Sequence, residues 1–166
     1  LGFIVLLVEV RLHPRVSGLE RVEGVPVALV DNGLRWHARA YDRKNCRFGD
    51  FVVNRMTKLS IIPQQIAEHE QIAADIQWNQ IVSLELVPHP ALKHPEAVCA
   101  DYGITKEVLL IPIRAAMAGY SLKRWNIDCS KNHRLSANEY HLWLRNNVVL
   151  ADVENAFMAP GFVEGW

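Results

Sequence analysis

Residues 34–56, LRWHARAYDRKNCRFGDFVVNRM, constrain the fold more than any other stretch of the chain. Two short runs of alternating character flank a polar turn, and a period of two cannot be satisfied by a helix. Over Arg35–Tyr41 the alternation places Trp36, Ala38 and Ala40 on one face and Arg35, His37, Arg39 and Tyr41 on the other. The first set suits a core. The second suits a ligand that carries negative charge and flat rings. In the second run, Arg47, Phe51, Val53 and Arg55 share one face, while Phe48, Asp50, Val52 and Asn54 share the opposite one. The expectation is strand, five-residue turn (DRKNC), strand.

The flanking sequence extends this β character. Phe3–Leu12 and Val25–Val30 read as strands, with a Pro- and Gly-punctuated connection over 13–24 between them. Asp31-Asn32-Gly33 is a turn signal, because Asn and Gly tolerate positive φ. Four or five short strands in about 60 residues suit a small barrel. Pro63–Ala74 changes character and predicts a linker helix that Pro63 would open. Beyond it, strands are expected at Ile81–Val87, Val108–Ile113 and Tyr140–Leu144. Helices are expected at His94–Ala100, closed near Gly103, and at Arg114–Trp125, with Ala115, Ala118, Leu122 and Trp125 along one stripe. The organisation is therefore α+β: a barrel over 1–60, a linker helix over 61–77, and an α+β region over 78–166.

Bulk properties narrow the function. Lys plus Arg equals Asp plus Glu at 18 each, so the formal net charge is zero, whereas self-sufficient nucleic-acid binders carry a basic excess. Cys46, Cys99 and Cys129 are widely spaced and form no Cys-x-x-Cys, which argues for a reducing, cytoplasmic setting and against a disulfide framework or zinc cluster. The apolar opening LGFIVLLVEV is interrupted by Glu9 and Arg11, too early for a span of about 20 residues, so no membrane association is expected. His89, His94 and Cys99 recur at five-residue intervals, but zinc ligands pair more closely, and no metal or cofactor is expected. Asp128, Cys129 and His133 contain the parts of a thiol nucleophile, yet proximity in sequence establishes neither base nor oxyanion site. No enzymatic activity is expected.

The strand–turn–strand of 34–56 resembles the core of the WYL domain of bacterial transcriptional regulators, with Trp36-His37-Ala38 at the position of its name-giving tripeptide. Further segments resemble landmarks of the extension that follows this domain in one group of the regulators: DIQWN (75–79), LVPHP (86–90), DYG (101–103), RAAMAGY (114–120), WNIDCS (125–130) and LWLRN (142–146). That group includes repressors beside phage-defence operons. The resemblance implies an Sm-like (SH3-like) β-barrel followed by an α+β, ferredoxin-like, extension that forms a homodimer. It also implies a nucleotide or nucleic-acid-derived anion as effector, held by His37, Arg39, Tyr41 and Arg55, with operator DNA contacted only through an upstream winged helix-turn-helix. Residues 1–24 match the pattern poorly, and Gly49 stands where the family often places a basic residue. A stand-alone Sm-like module for single-stranded nucleic acid is the alternative.

Overall fold

The structure is a computed structural model that describes residues 5–10 and 20–163, the backbone only for 5–10 and 20. It divides into two compact units, Leu1–Ile76 and Gln77–Trp166.

The first unit is an all-antiparallel sheet of five strands: β1 (Val5–Val10), β2 (Glu20–Asp31), β3 (Trp36–Asp42), β4 (Arg47–Val52) and β5 (Met56–Ile62). Their order is β4-β3-β2-β1-β5. No β4–β5 pairing occurs among the described residues, so the expected closed barrel is not formed; a 3-10 turn at Val53–Arg55 separates those two strands. β2 begins earlier than expected, at Glu20, and its long run is broken by a register shift between Pro26 and Ala28. A proline inside a strand is tolerated at such an irregularity because it cannot donate to the ladder. Of the strand expected at Phe3–Leu12, the part outside Val5–Val10 lies outside the described residues.

Two tight connections set the register. In the β2–β3 turn Gly33 takes φ 80°, the Asp31 carboxylate accepts from the Gly33 amide, and Asn32 Oδ1 accepts from the Leu34 and Arg35 amides. In the DRKNC turn Asp42 accepts from the Lys44 amide (3.0 Å) and from the Asn45 side-chain amide (2.6 Å). These bonds align Arg39 opposite Asp50 and Tyr41 opposite Phe48.

Residues 63–75 do not form the expected linker helix. Two 3-10 turns, Glu68–Glu70 and Ile72–Ala74, stand there instead. Ile66 packs with Val25, Tyr41, Phe48 and Ile62, so this segment lies over the sheet as a strap. Every position of β3 after the first is buried. Trp36, expected in the core, is that first position and is 52% exposed. Ala38 and Ala40, its expected partners, are buried, and Phe51 packs on Val22.

The second unit opens on a one-turn helix, α1 (Ile76–Asn79). Its strands are β6 (Ile81–Pro88), β7 (Leu109–Arg114), β8 (Ile127–Asp128) and β9 (Leu142–Leu144); its helices are α2 (Pro95–Tyr102) and α3 (Ala115–Arg124). The sheet order is β7-β6-β9-β8, antiparallel except for the parallel β8–β9 pair. A ferredoxin-like sheet rests on two split βαβ crossovers. Here α2 joins neighbouring antiparallel strands, so that expectation is replaced by a different α+β arrangement.

One core holds the unit together. Leu84, Leu86, Leu122, Ile127, Leu144 and Leu150 are fully buried, and truncating any one to Ala leaves a cavity worth about 2–5 kcal/mol. α2 starts with Pro95 in its first turn and ends on Gly103 at φ 64°, the left-handed conformation glycine adopts without strain. α3 buries Ala115, Ala118 and Leu122, whereas Trp125, assigned to the same stripe, is its exposed C-cap. Gly119 lets α3 touch the chain at Asn155. The Gly119 amide donates to Asn155 Oδ1 at 2.9 Å, and Asn155 Nδ2 donates to Ala116 O at 2.6 Å.

Candidate functional site

Cross-strand neighbours share a face of a sheet, so the registers of β3 sort its side chains into two sets. One face carries Trp36, Ala38 and Ala40 with Leu29 and Phe51; the other carries His37, Arg39 and Tyr41 with Val52, Asp50, Phe48 and Val25. The three residues expected from the alternation therefore lie together. They do not lie open: His37, Arg39 and Tyr41 are all buried. Arg55 stands apart from them in sequence, half-buried in the 3-10 turn after β4. The second run thus stops alternating at Val52, three residues before Arg55.

Arg39 is the centre of the cluster and is 2% exposed. Its Nε donates to Asp75 Oδ2 at 2.5 Å and its Nη2 to Asp75 Oδ1 at 2.9 Å, a two-pronged pairing, while Nη1 donates to Asp50 Oδ1 at 3.1 Å. Burial alone would depress the guanidinium; the hydrogen bonds and charge of Asp75 and Asp50 more than offset it, and the net shift is upward. Asp75 itself is buried. One cation is thus held between two carboxylates in a site with little water, where electrostatic forces are strongest.

Arg43, just past β3, repeats the pattern. Its Nε and Nη2 donate to the two oxygens of Glu70 at 2.7 and 2.8 Å, and Nη2 also reaches Gln65 O. Gln64 Oε1 accepts from Nη1. The hydrogen bonds to Arg43 hold the Glu70 carboxyl below its ordinary range. Between the two arginines, Tyr41 meets Phe48 edge-on at 5.2 Å and His69 at 5.4 Å. Burial pushes the His37 pKa down, aided by the positive charges of Arg35 and Arg55 and opposed by Asp50. His37 is therefore a neutral ring near pH 7.

Sequence reasoning found the β3 half of this site and missed the strap half. Asp75 and Glu70 are 36 and 27 residues from their arginines, and no local pattern connects them. The only available signal was three carboxylates, Glu68, Glu70 and Asp75, in an otherwise amide- and alanine-rich stretch.

The remaining polar candidates are structural. His89 Nδ1 accepts from the Ala91 amide, so its Nε2 carries the proton and donates to Asp128 Oδ2 at 3.1 Å, with both side chains fully buried. Asp128 also accepts from the Ser130 and Leu135 amides. Burial pushes the Cys129 thiol far up, and its Sγ lies against Ile127 O. His133 faces the rings of His89 and Trp143. A buried thiol held protonated against a carbonyl is a poor nucleophile. His94 pairs with Glu96 on the surface, and among the described residues no group of three or more His, Cys, Asp or Glu is placed to hold a metal ion. No helix among them is long and apolar enough to cross a membrane.

Comparison with known proteins gives the family. Residues 81–150 match the family described as BrxR transcriptional regulator, C-terminal dimerization domain. The chain is 32% identical over 133 residues to a DNA-binding transcriptional repressor CapW of Stenotrophomonas maltophilia, covering 74% of this chain and 44% of that one. It is 36% identical over 129 residues to the CapW of Pseudomonas aeruginosa, covering 76% and 41%. The chain thus spans less than half the length of these curated relatives. Among solved structures, the proteasome accessory factor B/C of Arthrobacter aurescens aligns over 92% of this chain and 24% of its own, at 13% identity and a TM-score of 0.33, a likeness too distant to argue from.

Proposed function

The chain belongs to the WYL-type transcriptional regulators of the CapW and BrxR kind, and on that premise we propose that it is the effector-sensing and dimerisation region of such a regulator. Its second unit carries the dimerization-domain match and would pair two copies. Its first unit would hold a nucleotide or nucleic-acid-derived anion on the face of β3 that bears His37, Arg39, Tyr41 and, nearby, Arg55. The β4-β3-β2-β1-β5 order, with a 3-10 turn between β4 and β5, supports reading that unit as an open Sm-like sheet. In the intact regulator the effector would shift the balance between two arrangements of a dimer, and so the presentation of DNA-binding domains beside a phage-defence operon. No covalent chemistry is required.

The observation that carries the sensing role is the arginine buried between carboxylates on one sheet face. A small unit gains little net stability from a buried ion pair that hydrophobic side chains could replace, so polar groups kept there point to recognition. Arginine's planar fork suits phosphate, and Tyr41 and His37 suit a base. Isothermal titration calorimetry with a short single-stranded oligonucleotide tests this. Arg55→Ala is expected to weaken saturable binding by about one to two decades through loss of a charge-assisted contact. Wild-type affinity in a folded Arg55→Ala variant would place the ligand elsewhere. Binding governed by salt alone, without ligand preference, would favour a general nucleic-acid-binding module.

A further inference from the structure

The strap at 63–75 covers the face on which the effector would bind, and it does so with acids. Glu70 takes the fork of Arg43 and Asp75 takes the fork of Arg39, each through two hydrogen bonds. Carboxylate on guanidinium has the geometry that a phosphate would adopt on the same group. Around these two contacts, Gln64 and the Gln65 carbonyl add bonds to Arg43, His69 meets the Tyr41 ring, and Ile66 fills the apolar patch beside it. Arg39 and Arg43 are four residues apart on an extended strand and the turn that follows it, which spaces their backbones about 13 Å apart.

We infer that the strap is a tethered stand-in for the effector: Glu70 and Asp75 occupy two arginine sockets that a ligand with several phosphates takes over by displacing them. This rests on the effector reading above and names how that site is regulated. A ligand with a single phosphate satisfies one socket and leaves the other carboxylate in place, so an oligonucleotide competes better than a mononucleotide. The binding-competent state is the one with the strap released, and the apparent affinity is the intrinsic affinity scaled by the population of that state. Release also changes the segment that leads directly from Asp75 and Ile76 into the dimerisation unit at Gln77. Effector occupancy is thereby linked to the chain connecting sensor and dimer.

The test compares the wild-type chain with the Glu70→Gln, Asp75→Asn double variant, titrated with a fluorescent single-stranded tetranucleotide and with a nucleoside monophosphate. Each substitution keeps one of the two acceptor oxygens, and Arg39 keeps Asp50; circular dichroism verifies that the fold is retained. The expected result is oligonucleotide affinity raised by about tenfold or more in the variant, with a smaller gain for the monophosphate. Equal oligonucleotide affinity in the two proteins would overturn the strap while leaving the effector reading intact. Absence of binding by either protein would overturn both. Hydrogen exchange on the wild-type chain gives a second readout that needs no variant. Oligonucleotide should speed exchange of the amides in 64–75, and slowed or unchanged exchange there would overturn the displacement.

Discussion

Replacing Asp75 with Ala should destabilise the first unit by about 3 kcal/mol, the low end of the cost of breaking a buried pair. The low end applies because Arg39 is not left alone: Asp50 stays at 3.1 Å. What is lost is the two-pronged contact at 2.5 and 2.9 Å between side chains 3% and 2% exposed. Arg39→Met should cost more, because it removes the buried cation shared by Asp75 and Asp50. Arg39→Met combined with Asp75→Leu should recover most of the loss, since apolar side chains of similar volume replace buried pairs at little cost, and Asp50, at 12% exposure, can turn to solvent. For a unit of this size, about 3 kcal/mol corresponds to a midpoint lowered by roughly 12–24 °C. Scanning calorimetry of the full chain would resolve it, with the transition of the second unit as internal reference. An Asp75→Ala midpoint within about 4 °C of wild type would refute the reasoning, as would a double variant less stable than Arg39→Met.

Gly119→Ala should unfold the second unit selectively, because the added Cβ would fall on the backbone carbonyl of Asn155 and 2.6 Å from its Oδ1; loss of one calorimetric transition with the other unchanged checks it. Stability should also fall with acidification. His37 has a folded pKa below its ordinary 6.5, so the unfolded chain takes up the proton first; its contribution is complete above that pH and is lost as pH falls through the folded value. Urea denaturation between pH 5 and 8 should show this slope in the wild-type chain and a flatter one in His37→Gln.

The strongest local patterns foretold the most. Alternation over 35–41 predicted β3 and its two sets of side chains, and Asp31-Asn32-Gly33 predicted the turn that sets its register. Where long-range contacts override a local pattern, the reading fails. Arg39 and Tyr41 looked solvent-facing because nothing nearby in sequence covers them; their cover arrives from 63–75, through Asp75, Ile66 and His69. Trp36 looked like core by its parity, yet a strand's first residue lies at the rim where few neighbours reach it. Pro63 marked a helix start, but the segment folds into two 3-10 turns whose Glu70, and Asp75 just beyond them, are tied to Arg43 and Arg39. Asp128, Cys129 and His133 suggested reactivity by adjacency, whereas Asp128 turns to His89, 39 residues away.

Residues 81–150 match a dimerization domain, and the proposed switching role requires that the second unit pair two copies of the chain. Sedimentation velocity of the full chain at micromolar concentration reports on it directly. One species near twice 18.9 kDa, unchanged on dilution through the low micromolar range, is the expected result. A single species at 18.9 kDa under the same conditions would contradict the assignment of 77–166 as the pairing unit.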